Sequence, residues 1–208
     1  MVYSIGKRIV FPIVRLWIKD INGLENIPKK GSFIIAANHT SYMDHFFMGY
    51  VIVPNLNKKL HFLAKKEHFK GLQKLWHNYA GAIPIDRQLG GKKALKWAIK
   101  GLDEGKIIGI YPEGTRSLTG KLQRAKTGVA RLALLSGVPV IPVGLIGTFE
   151  ILPKGKYMPK LRKAAMNIGK PMHFDEYYNK NINKKILREI TTKIMKNIAK
   201  LCKQKYNF

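Results

Sequence analysis

Short apolar runs of strand length alternate with helix-forming segments along most of the chain. The runs fall at residues 33–37, 60–64, 82–85, 106–111, 138–143 and 164–169. Repeated alternation of strands and helices is typical of an α/β fold with a parallel sheet covered by helices. A chain of 208 residues is long enough for one such domain and short for two. We therefore predict a single α/β domain with a largely parallel sheet flanked by helices.

The first apolar run delivers Asn38 and His39 onto a turn, directly before a segment that can begin a helix. In open α/β sheets, ligands bind where strands end. Asp44 follows His39 by five residues, and on a continuous helix the two side chains would point about 140° apart. They can meet only if His39 lies in the turn and Asp44 in the first helical turn. A histidine held by a carboxylate has a fixed tautomer and a stabilised cation, which suits a general base.

The same stretch has a simpler interpretation. Ser41-x-x-Asp44 resembles a capping box, and an acidic residue is favoured near a helix N-terminus. His39 would then be an ordinary turn residue, and the stretch by itself does not decide between the two.

Residues 38–44, Asn-His-Thr-Ser-Tyr-Met-Asp, resemble the His-x-x-x-x-Asp signature of the glycerolipid acyltransferases. Three further blocks similar to that family follow in the expected order. They are Gly-Ala-Ile-Pro-Ile-Asp-Arg at 81–87, Tyr-Pro-Glu-Gly-Thr-Arg-Ser at 111–117 and Val-Pro-Val-Ile-Pro-Val at 138–143. Lys126-Thr-Gly128 is a fifth match, and the resemblance spans about residues 21–171.

The resemblance implies an enzyme with the glycerol-3-phosphate acyltransferase-like fold. Such an enzyme moves a fatty acyl group from acyl-CoA or acyl-carrier protein to a hydroxyl of a lysophospholipid. His39 would remove the hydroxyl's proton, and Asp44 would orient the imidazole. The attacking hydroxyl belongs to the substrate, so no enzyme nucleophile is needed, and no metal or redox cofactor is implied. The residues expected to bind the glycerol and phosphate of the acceptor are Arg87, Glu113, Gly114, Thr115, Arg116 and Lys126.

The expected acceptor is 1-acyl-glycerol-3-phosphate, whose acylation at the sn-2 position gives phosphatidic acid in phospholipid biosynthesis. The blocks do not determine the group beyond the phosphate. Glycerol-3-phosphate, another lysophospholipid or an amino-acid lipid therefore stay open as acceptors.

The charge of the chain requires an anionic partner or surface. Lys and Arg number 38 against 12 Asp and Glu, for a formal net charge of +26. Nucleic acid and anionic lipid are the two candidates, although part of the lysine excess could be compositional bias. The sequence has no zinc-finger spacing and no aromatic RNA-binding motif, so we expect no nucleic-acid partner.

No stretch of the sequence is long and apolar enough to span a bilayer, which takes about 20 residues. In residues 1–20, apolar residues recur at helical spacing between basic ones. This pattern predicts an amphipathic segment at a membrane interface or a helix packed on its own domain. We expect a peripheral membrane protein on the cytoplasmic face, and the single cysteine, Cys202, fits a reducing compartment.

The acyltransferase domain is predicted to span residues 21–208. Its last helix, 182–205, carries an isoleucine stripe that either closes the sheet or docks on a membrane, and we favour the first. Two further expectations come from prolines. The helix that begins at Asp44 should end before Pro54, and Pro139 and Pro142 make the run 138–143 an edge strand or one paired on one side only.

Overall fold

The computed structural model describes residues 4, 6–79, 81–85, 91–178 and 181–208, and within these ranges seven strands form one sheet. Its spatial order is β1-β7-β6-β2-β5-β3-β4. Neighbouring strands run parallel except for β6 and β7, so the predicted largely parallel sheet is confirmed. The strands are β1 Ile18–Asn22, β2 Phe33–Ala37, β3 Leu60–Lys65, β4 Ile83–Ile85, β5 Ile107–Ile110, β6 Val140–Ile146 and β7 Ala164–Ile168.

Helices cover both faces of the sheet. Residues of α1, α2 and α6 form an apolar cluster with one face, and residues of α4, α5 and α7 form a second cluster with the other. Short 3₁₀ turns lie at Leu24–Asn26, Lys66–His68 and Asp175–Tyr177, and a π-helical turn, Gly6–Val10, precedes α1. The α-helices are α1 Phe11–Arg15, α2 Asp44–Leu56, α3 Gly71–Tyr79, α4 Gly91–Asp103, α5 Gly128–Ser136, α6 Thr148–Ile151 and α7 Lys184–Leu201.

The C-terminal helix α7 closes the sheet. Its stripe residues Ile190, Ile194 and Ile198 are fully buried in the cluster with α4 and α5. The helix is capped at its start by Asn183, whose Oδ1 accepts a hydrogen bond of 3.0 Å from the Ile186 N–H. Because the stripe is used for packing, the alternative of a membrane-docking face on this helix is wrong.

The expectation that the proline-containing run lies at an edge is also wrong, because β6 is paired on both sides. It runs parallel to β2 and antiparallel to β7. The Pro142 carbonyl accepts a hydrogen bond from the Gly169 N–H at 2.8 Å. Since the nitrogen and carbonyl of one strand residue face the same neighbour, the proline nitrogen faces β7, at the end of the β6–β7 ladder. Register pairing with β7 begins at Val143, so the missing N–H of Pro142 removes only one bond at the end of the β6–β7 ladder.

Helix α2 continues past the proline that was expected to end it. Pro54 lies inside the helix, which ends at Leu56. Asn57 then takes a left-handed conformation with φ 51°, and its N–H donates to the Val53 carbonyl at 3.0 Å. The proline falls in the last turn, so the loss of its N–H bond affects only the end of the helix.

The N-terminal segment packs one side of its short helix on the domain. Val14 is buried in the same cluster as α2, whereas Ile9, Ile13 and Leu16 are exposed. The helical part ends at Arg15 and β1 begins at Ile18, inside the range predicted as a separate segment. In the described parts of the chain, no helix has the length and hydropathy needed to cross a membrane.

Candidate active site

His39 and Asp44 meet at the carboxyl end of β2. His39 lies in the turn after the strand and Asp44 is the first residue of α2. His39 Nδ1 and Asp44 Oδ2 are 2.8 Å apart, with the carboxylate fully buried and the histidine side chain 12% exposed. This is the arrangement that the five-residue spacing required, and it leaves Nε2 of the imidazole as the nitrogen that Asp44 does not hold.

Asp44 also organises the turn itself. The same Oδ2 accepts hydrogen bonds from the backbone N–H groups of Thr40 at 2.8 Å and Ser41 at 2.9 Å. The other oxygen, Oδ1, is buried and makes no hydrogen bond within the described ranges. The N-cap of α2 is Met43, which makes no side-chain cap bond, so the predicted capping box does not form. Instead, one oxygen of Asp44 holds both the turn and the histidine ring.

Three further aromatic rings form a stack with the His39 ring of this pair. The ring of Tyr111 lies on the His39 imidazole with centroids 3.8 Å apart, and His45 lies 5.1 Å from Tyr111 and 4.6 Å from Phe62. Tyr111 Oη and His45 Nδ1 are 2.7 Å apart. The surrounding protein lowers the pKa of His45, mainly by desolvating its charged form, and the positive charges of His39 and Arg116 act in the same direction. His45 therefore adds a neutral ring to the stack, although part of it still reaches solvent.

The stack depends on a glycine in β5. Gly109 pairs in register with Phe62 of β3. A Cβ atom at position 109 would lie 2.3 Å from the Phe62 ring, so only glycine leaves room for that ring over the strand. This close approach lets Phe62 reach the aromatic rings at the end of the strand.

Glu113 joins the third sequence block to the histidine turn. It is only 3% exposed. Its Oε1 accepts from the His39 N–H at 2.9 Å, and its Oε2 accepts from the backbone and side-chain N–H groups of Gln123 at 3.0 and 3.1 Å. Burial raises the pKa of Glu113 to about 7, against the opposing effect of these donors. Both oxygens thus accept hydrogen bonds within the protein, and they join the histidine turn to the loop that carries Gln123.

Two cationic side chains belong to the same region. The Arg116 guanidinium lies 3.6 Å above the centroid of the Tyr42 ring, which fixes its plane. The Lys126 side chain passes Gly114, because a Cβ atom there would lie 3.4 Å from Nζ. Gly114 has φ +74°, a conformation that favours glycine. Thr115 is exposed beside them, and Arg87 lies outside the described residues.

The geometry thus shows a carboxylate-held histidine, a fixed arginine and an exposed lysine at the carboxyl end of a parallel sheet. A family model for acyltransferases matches residues 19–146, which include β2 to β6, all of β1 except Ile18, and this whole site. The chain belongs to the acyltransferase family.

Individual acyltransferases show how far the similarity extends. The 1-acyl-sn-glycerol-3-phosphate acyltransferase of Bacillus subtilis is 34% identical over 155 residues, which cover 72% of this chain and 71% of that protein. The chloroplastic enzyme BAT2 of Brassica napus is 31% identical over 140 residues, and the match covers 65% of this chain and 39% of that longer protein. The crystal structure of the 1-acyl-sn-glycerophosphate (LPA) acyltransferase of Thermotoga maritima superposes with a TM-score of 0.70 at 30% identity. That match covers 98% of this chain and 78% of the other.

Several residues of this acyltransferase site were not found by sequence reasoning. Asn38 is fully buried, where its Nδ2 donates to the Leu145 carbonyl at 3.0 Å and its Oδ1 accepts from the Leu145 N–H at 2.7 Å. This side chain ties the histidine turn to β6. Tyr111 is part of a matching block that gives its side chain no role, and no pattern in the sequence marks His45, which directly follows Asp44. Gln123 lies in a polar loop, where no local pattern marks it.

Proposed function

We propose that this acyltransferase moves a fatty acyl group from an acyl thioester to the sn-2 hydroxyl of 1-acyl-glycerol-3-phosphate. The product is phosphatidic acid, and the activity belongs to phospholipid biosynthesis. The observation that carries the proposal is the 2.8 Å contact between His39 Nδ1 and Asp44 Oδ2 at a strand end. The names of the relatives from Bacillus subtilis and Thermotoga maritima support the choice of acceptor.

In the proposed reaction, Nε2 of His39 takes the proton of the acceptor hydroxyl as its oxygen attacks the thioester carbonyl. A C–O bond forms, the C–S bond breaks, and the thiolate of CoA or acyl-carrier protein leaves and takes up the proton from the imidazolium. Asp44 stabilises the imidazolium through Oδ2. The thioester supplies the driving force and the acceptor supplies the nucleophile, so the reaction as written uses no metal or redox cofactor.

We assign the acceptor's phosphate to Arg116 and Lys126, with Arg87 and the backbone at Gly114 and Thr115 as further contacts. A planar guanidinium held over Tyr42 can offer two parallel N–H groups to a phosphate, whereas lysine acts as a point charge. The half-buried Arg116 and the exposed Lys126 support this assignment. The geometry of Glu113 favours a structural role over a direct contact with the acceptor.

The formal net charge of +26 supports partners that are all anionic. They are the acceptor, an anionic membrane surface, and acyl-CoA or acyl-carrier protein as donors. We propose a peripheral enzyme at the cytoplasmic face of the membrane, without a nucleic-acid partner.

Acyl transfer should be measured from both donors to 1-acyl-glycerol-3-phosphate, glycerol-3-phosphate and lysophosphatidylglycerol. We expect the first acceptor to be preferred, and activity only on another acceptor would contradict the proposal. Arg116→Gln should raise KM for the phosphomonoester acceptor at least about tenfold, the scale of a lost charged contact. The matched control is Arg131→Gln on the exposed side of α5, which should leave KM unchanged.

A further inference from the structure

The loop between α6 and β7 carries a cluster of exposed apolar and basic side chains. Residues 154–163 contain five basic residues and no acidic one. Tyr157 is 91% exposed, Met158 80% and Leu161 87%. Single exposed apolar side chains are normal, but three large ones this close together form a patch that favours an interaction surface.

The start of this loop is bonded to the turn that carries His39, the proposed general base. Ser41 Oγ donates to the Leu152 carbonyl at 2.8 Å, and the Tyr42 N–H donates to the same oxygen at 3.0 Å. Ser41 and Pro153 also form an isolated antiparallel bridge. The loop is therefore anchored to the turn that follows His39.

The other side of the loop is bonded to the N-terminal segment. Trp17 Nε1 donates to the Lys160 carbonyl at 2.9 Å, and Lys163 Nζ donates to the Leu16 carbonyl at 2.8 Å. These bonds join the loop to a second exposed apolar surface. Its residues recur at helical spacing and are Ile9, Ile13 and Leu16.

The chemistry of the loop favours a lipid surface as its partner. Basic side chains without a single acidic neighbour attract an anionic partner, and lysines can extend their ammonium groups to lipid phosphates while their stems cover apolar surface. Tyrosine and large aliphatic side chains are suited to the boundary between headgroups and acyl chains. An acidic protein could satisfy both features of the loop alone. The bonds that join the loop to the exposed Ile9, Ile13 and Leu16 extend the apolar surface beyond the loop, which favours a bilayer.

We propose that the 154–163 loop is a membrane-docking element that places the His39 turn at the surface of an anionic bilayer. Tyr157, Met158 and Leu161 enter the interface, and the basic residues contact lipid phosphates. The inference rests on the proposed function only in that the acceptor is a lipid drawn from the bilayer.

The first test is binding to vesicles of phosphatidylcholine with and without phosphatidylglycerol, measured by flotation. The variant Tyr157→Ser/Met158→Ser/Leu161→Ser should bind the anionic vesicles at least about tenfold more weakly, because each lost side chain removes apolar area from the interface. The matched control Leu75→Ser/Trp97→Ser/Leu135→Ser changes three exposed apolar residues on α3, α4 and α5 and should bind like the unmodified protein. Equal binding by the loop variant would overturn the proposal.

A second pair of variants separates docking from general charge attraction. Lys154→Gln/Lys156→Gln/Lys160→Gln should weaken binding by about fivefold per lysine, the effect of removing a cation at an anionic membrane surface. Lys92→Gln/Lys93→Gln/Lys96→Gln removes the same charge from exposed positions on α4 and should have a much smaller effect. Equal losses in the two variants would overturn the assignment to this loop.

Activity assays distinguish this inference from the proposed function. Transfer to a short-chain, water-soluble acceptor should be unchanged in the apolar loop variant, while transfer to acceptor in anionic vesicles falls. The unmodified protein could acylate no glycerolipid while the loop variant still loses vesicle binding. That result would support docking and overturn the proposed function alone. A loop variant that loses affinity for acyl-carrier protein but not for vesicles would show a protein-binding surface and overturn the docking proposal.

Discussion

The phenol ring of Tyr111 lies face to face with the imidazole of His39, with centroids 3.8 Å apart and planes 12° from parallel. The hydroxyl of Tyr111 is in turn bonded to His45 at 2.7 Å. Since Asp44 fixes one edge of the imidazole and Tyr111 covers one face, the histidine ring is held in two directions. In the proposed reaction, the stacked ring would also attract the imidazolium cation, because a cation is attracted to an aromatic face.

Replacing Tyr111 should therefore affect turnover more than binding. Tyr111→Phe keeps the ring and loses the bond to His45, so we expect kcat to fall by about threefold, the scale of one neutral hydrogen bond. Tyr111→Leu removes the ring and should lower kcat by about tenfold to a hundredfold, since small misplacements of a catalytic group are costly. Steady-state kinetics with kcat and KM measured separately provide the check. Equal kcat values for the two variants would show that the stack does not matter.

Glu113 should make stability depend on pH. Its pKa is raised to about 7 from an ordinary value of 4.5, so the folded state binds a proton between these limits that the unfolded state has released. The free energy of unfolding should fall as pH rises through this window, by up to about 3 kcal/mol for this group. Urea unfolding at pH 5, 6, 7 and 8 measures how the free energy of unfolding changes with pH. Glu113→Gln cannot ionise and should lose this component, and an unchanged pH dependence in the variant would contradict the account.

Asn38 should stabilise the fold through its paired hydrogen bonds to Leu145. Asn38→Ala leaves a buried N–H and carbonyl unpaired, which we expect to lower the free energy of unfolding by about 2–3 kcal/mol. Asn22→Ala is the matched control, because Asn22 bonds Asn167 at an exposed site and its loss should cost under about 0.5 kcal/mol. Chemical unfolding of both variants gives the comparison, and similar losses would contradict the assigned role.

Two glycines should respond oppositely to alanine. A Cβ atom on Gly144 would lie 2.4 Å from the backbone of Leu201 and Cys202, where β6 passes the end of α7. Gly144→Ala should destabilise the protein by about 1–3 kcal/mol through overpacking. Gly128, at the start of α5, has open space, so Gly128→Ala should stabilise by up to about 1 kcal/mol. Thermal unfolding of both variants measures these changes in stability. A Gly144→Ala protein as stable as the unmodified one would show that the contact can relax.

The sequence predicts the fold well because the central strands are buried on both faces. β2 and β5 are continuous apolar runs with clear ends, and α4, α5 and α7 follow helical periodicity. The predictions based on Pro54 and Pro142 were wrong because the effect of a proline depends on where its nitrogen lies in the helix or sheet. Pro142 points at the end of a ladder and Pro54 falls in a last helical turn, and both facts belong to the tertiary structure.

In the candidate site, too, local contacts could be predicted from the sequence and long-range contacts could not. His39 and Asp44 are close in sequence, so their spacing and the strand end define the one arrangement in which the two side chains can meet. The sequence predicts Glu113 as an acceptor ligand and gives Gln123 no role, because their contacts depend on the tertiary structure. The His39 N–H bonds Glu113 at 2.9 Å across 74 positions, and Gln123 bonds the other oxygen of the same carboxylate. The aromatic stack likewise combines side chains from α2, β3 and the end of β5.

The measurement that tests the central claim most directly is the single-turnover rate of acyl transfer to 1-acyl-glycerol-3-phosphate by His39→Ala, Asp44→Asn and the double variant. His173→Ala, at an exposed histidine, is the control and should keep full activity. We predict that His39→Ala lowers the rate by about 10²–10⁴-fold, and that adding Asp44→Asn lowers it little further because the two act as one unit. A folded His39→Ala protein that transfers acyl groups at the unmodified rate would contradict the account.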